Sequence, residues 1–350
     1  MKMMARSGIG EGLWLAMLMA VAALVPGPVQ AQGGGEVRAM ADAPVLGIQQ
    51  VTMTVSDIDA TIAFYRQAIP ITVVRRFRMP GSRFPAALLA RPAGRVDVAI
   101  LALPTGHIQL LDFAPGRDAA PSTMPVIGPG YTHICFQSGA QDAAIHRFKA
   151  AGLAIVSRFG HRDGVDLGGY GVRYAYGRDP DGIMIETETL DKPGRSEAAW
   201  MTHIANAVHD RDAMLAFYGK LTGKAPHRTI EAEKNPRLDD IAAIDGLALR
   251  GGWINAGNMD IEVWEYRQPR TPAPGGKRTL DTIGYAYFAL EVPDLAQARE
   301  RLRAQSIATI GPVRDIGGWQ TQFLHDPEGN VVALVQRGRA PSAESVRALR

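Results

Sequence analysis

Cysteine is almost absent from this chain of 350 residues, in which Cys135 stands alone. A single cysteine cannot close an intrachain disulfide, so the fold must be stabilised by its buried core. Cys135 lies in an apolar, strand-like run. We therefore expect it to belong to the core and not to act as a nucleophile.

A strong excess of one charge is also missing, because 38 basic side chains stand against 35 acidic ones. The basic residues form no stripe of the kind that binds nucleic acid, and nucleic acid is therefore excluded as a partner. The chain also lacks a phosphate loop, since Gly168-Gly-Tyr-Gly171 has no following Lys-Ser/Thr and is better interpreted as a mobile loop beside a site. The basic tail over 338–350 is expected to be a solvated end.

Long apolar runs are absent apart from Leu13–Val25, which falls short of the roughly 20 residues that a comfortable membrane span needs. Basic residues precede this run, two prolines end it, and the small residue Ala31 follows. This order predicts a secretory signal peptide over 1–31 and a flexible lead-in over 32–44, with an uncleaved anchor as the alternative. The mature chain is thus expected to be exported, to have no membrane segment, and to be periplasmic if its source is a Gram-negative bacterium.

The chain contains an internal repeat. An alternating run that ends at Asp57 is followed by Ala63-Phe-Tyr65, and a similar run that ends at Asp210 is followed by Ala216-Phe-Tyr218. Further along each copy, an Asp-Pro-x-Gly turn precedes an apolar run, once at 179–182 and once at 326–329. These matches occur in the same order and at nearly the same offset, which indicates duplication.

The repeat divides the chain into two modules, 45–190 and 200–337, joined by a linker over 191–199. Each module has two halves, and each half begins with a strand, continues with a helix and ends in further strand-like runs. The pattern predicts an α+β fold built from four βαβββ units. Asp57 and Asp210 are predicted to be turn residues or to cap the first helix of each module.

In these opening strands, Ala-Phe-Tyr helices and Asp-Pro-x-Gly turns, the sequence resembles the vicinal oxygen chelate superfamily. That family includes glyoxalase I, extradiol dioxygenases, methylmalonyl-CoA epimerase and bleomycin-resistance proteins. The resemblance covers essentially the whole expected mature chain and implies that βαβββ units pair into cup-shaped mixed sheets. The motifs are specific for the fold and poorly specific for the reaction, because one fold hosts many functions.

The resemblance also implies that metal ligands come from the first and the last strand of each unit. From unit one to unit four, the residues at these positions are Gln50 and Gln109, His133 and Glu186, His203 and Glu262, and Tyr287 and Ala333. The two imidazoles and two carboxylates of units two and three suit one divalent ion such as Zn, Fe, Mn, Ni or Co. Ionisable groups among apolar neighbours need a partner, and a metal supplies one.

Two ways of pairing the units remain open. Pairing within a module would divide the two histidines and two glutamates between two incomplete sites. Pairing units two and three across the modules would bring all four together and leave a second cup without ordinary ligands. We favour the second arrangement, because a duplicated chain that keeps one active centre is expected to have one complete and one degenerate site.

Strand alternation extends the predicted site. It places Tyr131, Met184 and Trp264 on the same strand faces as the nearest of the four ionisable residues. We therefore expect these three side chains to line a substrate pocket, with ordinary core packing as the alternative. Histidines that are hydrogen-bonded within the core are likewise the alternative to metal ligation.

The resemblance implies a metal that is chelated by adjacent substrate oxygens and stabilises negative charge as a Lewis acid. The carboxylate that moves the proton next to the carbonyl would be Glu186 or Glu262. We therefore predict an exported metal-dependent lyase or isomerase, monomeric or homodimeric, acting on a small oxygenated organic molecule. The alternatives are an extradiol-type Fe(II) ring-cleaving dioxygenase, against which a fourth protein ligand argues, and a non-catalytic small-molecule binding or resistance protein.

Overall fold

The computed structural model describes residues 44–113, 120–275 and 278–349. The predicted signal peptide lies outside the described residues, as does the predicted lead-in except for Pro44. None of the helices in these three ranges combines the length and the apolar character that crossing a membrane requires.

Four units follow one another along the chain, each with an opening strand, a helix and further strands. Unit one contains β1 (Gly47–Thr54), α1 (Ile58–Ala68), β2 (Thr72–Pro80), β3 (Arg95–Leu103) and β4 (Gly106–Asp112). Unit two contains β5 (Gly130–Gly139), α2 (Ala144–Ala150), β6 (Ala154–Ile155), β7 (Val165–Asp166), β8 (Val172–Arg178) and β9 (Met184–Leu190). Unit three contains β10 (Trp200–Ala207), α3 (Arg211–Thr222), β11 (Arg228–Glu233), α4 (Pro236–Ala242), β12 (Ala248–Asn255) and β13 (Asp260–Gln268). Unit four contains β14 (Gly284–Glu291), α5 (Leu295–Ala304), β15 (Thr309–Ile316), β16 (Trp319–His325) and β17 (Val331–Arg337). The α+β class with repeated units is thus confirmed.

The strands form two sheets, and each sheet contains one unit from each module. The outer sheet, made of units one and four, has the order β15-β16-β17-β14-β1-β4-β3-β2. The inner sheet, made of units two and three, has the order β11-β12-β13-β10-β5-β9-β8-β6, with β7 beside β8. Antiparallel pairs of opening strands, β1 with β14 and β5 with β10, join the modules. The protein therefore has the cross-module arrangement.

The largest hydrophobic core connects one face of each sheet with α1, α2, α3 and α5, and it includes Phe136 and Phe288. Two smaller apolar clusters lie on the other faces. The cluster of the outer sheet includes Phe323, and that of the inner sheet includes Tyr176 and Leu249. We call these two faces the outer cup and the inner cup.

The repeated sequence motifs bind the two units of one module to each other. Tyr65 of α1 donates a hydrogen bond of 3.1 Å to Asp179, and Tyr218 of α3 donates one of 2.9 Å to Asp326. Each bond joins an Ala-Phe-Tyr helix to the Asp-Pro-x-Gly turn of the following unit. The modules are thus connected across the chain by sheet pairing and internally by these bonds.

Helices α1 and α3 begin at the predicted caps. The side chain of Asp57 accepts hydrogen bonds from the backbone amides of Asp59 and Ala60, and the side chain of Asp210 accepts from the two equivalent amides of α3. A cap of this kind satisfies amides that have no partner within the helix and stabilises it by about 1 kcal/mol. The two opening strands are thereby stopped at defined positions, which fixes where each helix starts.

The C-terminal tail is docked on the protein, which corrects the expectation of a solvated end. Glu344 is fully buried, forms an ion pair of 2.6 Å with Arg75 and accepts a hydrogen bond from the indole of Trp319. The ring of His107 contacts the carbonyl oxygen of Ala343 at 3.0 Å. The basic composition of the tail suggested solvent, but its docking involves the side chains of Glu344 and Ser345 together with backbone groups.

Candidate metal centre

Four adjacent strands in the middle of the inner sheet carry the four predicted ligands. Each opening strand pairs in parallel with the last strand of its own unit, β10 with β13 and β5 with β9. Because β10 and β5 pair with each other, the four strands lie side by side. Their buried side chains His133, Glu186, His203 and Glu262 form one cluster of ligand atoms.

The ligand atoms of this cluster converge on one point. Nε2 of His203 lies 3.0 Å from Oε2 of Glu186 and 3.2 Å from Oε2 of Glu262. Nε2 of His133 lies 3.5 Å and 3.3 Å from the same two oxygens. Ligand atoms about 2.0–2.1 Å from a tetrahedral ion are separated from each other by roughly 3.3–3.4 Å. The spacing therefore accommodates one ion at ordinary bond lengths.

Three of the four ligand atoms are orphaned, in that they have no hydrogen-bond partner outside the cluster. Among the described residues, these buried atoms are Nε2 of His133, Nε2 of His203 and Oε2 of Glu262. Leaving a buried polar atom unsatisfied costs about 1–3 kcal/mol, and such atoms are rare in folded proteins. Two imidazole nitrogens and two carboxylate oxygens are also a common donor set for divalent transition ions. The residues present thus fit a divalent metal.

Threonine hydroxyls lie behind both imidazoles. Oγ1 of Thr132 is 3.1 Å from Nδ1 of His133, and Oγ1 of Thr202 is 3.3 Å from Nδ1 of His203. Each threonine directly precedes its histidine in the chain, so the same strand positions the ligand and its support. Contacts of this type fix the orientation and the tautomer of a ligating imidazole.

The two glutamates differ in their second carboxylate oxygen. The indole Nε1 of Trp253 donates a hydrogen bond of 2.7 Å to Oε1 of Glu262. Within the described ranges, no group donates a hydrogen bond to Oε1 of Glu186. This carboxylate contacts the two histidines through its other oxygen, Oε2. The hydrogen bond from Trp253 therefore fixes the carboxylate of Glu262, whereas Oε1 of Glu186 can still accept a hydrogen bond or a proton.

Burial and mutual contact act in opposite directions on the pKa values of the cluster. Burial by itself lowers the pKa of His203, but Glu262 and Glu186 outweigh it and raise the pKa to about 10. The pKa of His133 is also raised, because the same carboxylates outweigh its burial. Burial raises the pKa of Glu186, but both histidines outweigh it and lower the pKa to about 2. An incoming cation would therefore displace protons from imidazole.

An apolar cluster lies against the ligands on the face of the inner cup. Met184 and Trp264 belong to it, together with Tyr176 and Tyr266. The ring of Tyr176 is 4.9 Å from that of His133, measured between ring centres. The structure thus brings two of the three predicted pocket residues to the cluster, and their contact with a substrate stays a prediction.

Tyr131 lies on the opposite face, which corrects its assignment to the pocket. In the β5–β10 pair, His133 is opposite Ala205 but Tyr131 is opposite Asn206, so the register shifts by one residue. A bulge of this kind breaks the alternation on which the assignment depended. Tyr131 instead packs against Phe288 in the largest core, with ring centres 5.6 Å apart.

Cys135 and Glu188 lie beside the four ligands. Their ligand atoms are within 4.8 Å of each other and of those of Glu186 and His203. Burial raises the pKa of the Cys135 thiol well above its ordinary value. Burial and the charge of Glu186 raise the pKa of Glu188 to about 7. Cys135 is thus a buried, neutral thiol, in keeping with a place in the core.

The equivalent positions of the outer cup form a neutral network. Gln50 and Tyr287 donate hydrogen bonds of 2.7 Å and 2.8 Å to Oε1 of Gln109. Thr52 adds a third at 3.2 Å, and Ala333 has no polar side-chain atom. Hydrogen bonds between neutral groups here replace the ionisable cluster, so these side chains do not make an ordinary metal site.

Two residues at the centre were not predicted from the sequence. Trp253 bonds to Glu262, and Tyr176 packs on His133. Each sits directly across from a predicted ligand in the sheet, Trp253 opposite Glu262 and Tyr176 opposite Glu186. Only the register between strands reveals these neighbours, and no local motif marks them.

The chain is similar to known proteins in both sequence and structure. A model of the Glyoxalase/Bleomycin resistance protein/Dioxygenase superfamily matches residues 47–187 and again residues 200–334. No curated protein matches the chain. Glyoxalase I from Zea mays is similar in structure, with a TM-score of 0.58 and 17% identity over 83% of this chain and 92% of that chain. A Bacillus subtilis protein provisionally named a dioxygenase gives a TM-score of 0.54 and 11% identity over 87% of this chain and 90% of that chain. At these identities, the likeness shows a shared fold.

Proposed function

Because the chain belongs to the Glyoxalase/Bleomycin resistance protein/Dioxygenase superfamily, we propose that it is a metal-dependent lyase or isomerase acting on a small oxygenated organic molecule. The observation that carries this proposal is the convergence of His133, Glu186, His203 and Glu262 on one point with three orphaned ligand atoms. When bound, a divalent ion would polarise a substrate oxygen and stabilise negative charge on it.

The four residues have two roles, metal binding and proton transfer. The two histidines and Glu262 are the holding ligands, since threonine hydroxyls and the indole of Trp253 support them from behind. Glu186 is the residue that moves a proton, at Oε1, because no donor among the described residues engages that oxygen. A general base must come within hydrogen-bond reach of the proton that it removes, and a carboxylate with one unengaged oxygen can do so.

Proton exchange tests this division. Carbonyl compounds would be screened by NMR for exchange of the proton next to the carbonyl in D2O. Exchange is expected with the metal-loaded protein and is expected to be lost in Glu186→Gln while the metal is retained. Undiminished exchange in that variant would contradict the role of Glu186.

Ring cleavage of the extradiol type is the less favoured reaction. It requires Fe(II) held by two histidines and one carboxylate, with other positions left for oxygen and catechol. Here a second carboxylate reaches the same point, with Oε2 atoms of Glu186 and Glu262 both near Nε2 of His203. Oxygen uptake on catechols by an iron-loaded protein would reverse this preference.

Metal analysis tests the proposal as a whole. Protein purified without chelators is expected to contain about one divalent ion per chain, a stoichiometry set by the cluster of His133, Glu186, His203 and Glu262. Gln50→Ala, in the outer cup, is the matched control and should keep the ion, whereas His203→Ala should lose it. A wild-type chain that binds no metal under any loading condition would contradict an enzyme of this type and leave a non-catalytic binding protein.

The proposal includes export. It is supported by the order of basic residues, the apolar run Leu13–Val25 and Ala31 at the start of the chain. N-terminal sequencing of the mature protein is expected to begin after Ala31. A mature protein that retains residues 1–31 would contradict cleavage there.

A further inference from the structure

The internal repeat places an arginine at the same point of both modules. Arg75 follows Tyr65 by ten residues, and Arg228 follows Tyr218 by ten residues. Both arginines lie in the strand that follows the Ala-Phe-Tyr helix, β2 in unit one and β11 in unit three. The two arginines therefore occupy equivalent positions in the repeat.

The two arginines are also equivalent in the sheet. In the outer sheet, the register leads from Arg75 across β3 to Gln109 on β4. In the inner sheet, it leads from Arg228 through Trp253 on β12 to Glu262 on β13. Gln109 and Glu262 occupy the same last-strand position of their units. Each arginine thus lies two strands away from that position.

In the outer cup, this arginine binds a carboxylate. Nε of Arg75 lies 2.6 Å from Oε1 of Glu344, and its Nη2 donates a hydrogen bond of 2.9 Å to Oε2. Trp319 of β16 donates a further hydrogen bond of 3.0 Å to Oε2. The fully buried carboxylate of the C-terminal tail is therefore held by one side chain from each of the two units that form the outer sheet.

In the inner cup, the equivalent arginine has no carboxylate. The guanidinium carbon of Arg228 lies 4.4 Å from the ring centre of Trp253. Within the part of the chain that the structure describes, the side chain of Arg228 forms no ion pair and donates no hydrogen bond. Trp253 in turn donates to Glu262, so the stacked guanidinium is tied to the metal cluster through one side chain.

Charge balance favours an anion at this place. Two glutamates and one divalent ion sum to zero, so the metal cluster would not itself neutralise a further negative group on a substrate. Arg228 supplies a cation whose guanidinium donors are not used by any of the described residues. A guanidinium forms strong, directional bonds with a carboxylate, as Arg75 does here.

We propose that the inner cup takes a small organic carboxylate, whose carboxylate group is held by Arg228 as Glu344 is held by Arg75 in the outer cup. The inference rests on the proposed function, since the remaining oxygens of the substrate would bind the metal. It names the substrate class that the proposed function leaves open.

Two metal-binding probes that differ by one charge test the inference. Succinic acid monohydroxamate carries a carboxylate, and the corresponding primary amide of the same length does not. Both would be titrated into cobalt-loaded protein and followed by the visible spectrum of the cobalt ion. Wild-type protein is expected to bind the carboxylate probe roughly tenfold or more tightly, because bonds to a charged group contribute about 1.5–3 kcal/mol.

Variants of Arg228 localise the effect. Arg228→Gln should bind both probes equally, at the wild-type affinity for the amide, and Arg228→Lys should keep part of the preference. Arg76→Gln is the matched control, because Arg76 neighbours the equivalent arginine and pairs with exposed Asp59, and it should keep the whole preference.

The outcomes separate the two proposals. A cobalt-loaded wild-type chain that binds both probes equally, or binds neither, overturns the inference and leaves the metal-dependent function standing. A preference that persists in Arg228→Gln also overturns it. A chain that takes up no metal overturns the proposed function and this inference together.

Discussion

Glu186 and Glu262 have the same side chain but different roles at the site, because their neighbours differ. The indole of Trp253 fixes one oxygen of Glu262, while the corresponding oxygen of Glu186 has no donor within the described residues. Two carboxylates in one cluster can thereby serve as a holding ligand and as a proton carrier. The distinction depends on a side chain from a third strand, β12.

Trp253→Phe should weaken metal binding roughly tenfold or more, because support behind a ligand typically contributes 10–100-fold to affinity. The change removes the indole donor and keeps an aromatic ring. Competition with a chromophoric chelator would measure the affinity. Trp264→Phe is the control, since Trp264 packs against Trp253 but its buried Nε1 has no partner among the described residues. An equal loss in both variants would show that ring packing, and not the hydrogen bond, matters.

Metal affinity should rise with pH. In the metal-free protein, Glu262 and Glu186 outweigh burial and raise the pKa of His203 to about 10, so at neutral pH a metal must displace a proton. Affinity is therefore expected to increase by up to about tenfold per pH unit for each proton released, and to level off above the histidine pKa. Calorimetry at pH 7.5 in buffers of different ionisation enthalpy should show release of at least one proton per ion. Binding without proton release would show that the imidazoles are neutral beforehand.

At the scale of elements, the C-terminal tail takes part in the fold. Glu344 joins a short turn of the tail to β2, at one end of the outer sheet, and to β16, the second strand from the other end. The outer cup, which lacks ordinary metal ligands, thus contains a carboxylate of the chain itself. The equivalent arginine of the inner cup, Arg228, has no such carboxylate among the described residues and could bind one from a ligand.

Glu344→Gln should lower the free energy of unfolding by about 2 kcal/mol, because it removes the charge of a buried carboxylate that forms an ion pair with Arg75. Urea denaturation would measure the change, and the metal content should stay at the wild-type level. Glu300→Gln is the control, since Glu300 pairs with Arg303 at the surface, and it should change stability by less than about 0.5 kcal/mol. An unchanged unfolding midpoint in Glu344→Gln would contradict the structural role of the tail.

At the scale of the molecule, the two modules of the sequence do not correspond to the two sheets. Each sheet takes its opening strands from both modules, and the metal cluster takes His133 and Glu186 from one module and His203 and Glu262 from the other. A complete cluster therefore requires the whole chain. The bonds of Tyr65 and Tyr218 to the Asp-Pro-x-Gly turns then keep each module together.

Separated modules should lack the metal site. Fragments 45–190 and 200–350, produced alone, are expected to bind no divalent ion with the affinity of the whole chain, because each supplies two of four ligands. Produced together, they are expected to recover about one ion per pair of fragments through the β5–β10 and β1–β14 pairings. Metal content of the purified fragments tests this, and full binding by one fragment alone would contradict the cross-module cluster.

The sequence alone determined which elements form and which residue types can bind a metal. Strand alternation, the caps at Asp57 and Asp210 and the Asp-Pro-x-Gly turns are local properties of the chain, so their effects can be predicted from neighbouring residues. The resemblance to a known family then indicated His133, Glu186, His203 and Glu262 as the candidate ligands. Local rules also showed that the copies are unequal.

Tertiary structure alone decided what depends on distant parts of the chain. The pairing of β5 with β10 made one cluster out of two half-sites, and a one-residue register shift in that pair moved Tyr131 to the other face. Trp253 reached Glu262, and Glu344 reached Arg75, through strands far apart in sequence. Such contacts cannot be predicted from residues that are neighbours in sequence. The free energy that selects these contacts comes from packing and hydrogen bonding between elements, and those interactions exist only after the chain has folded.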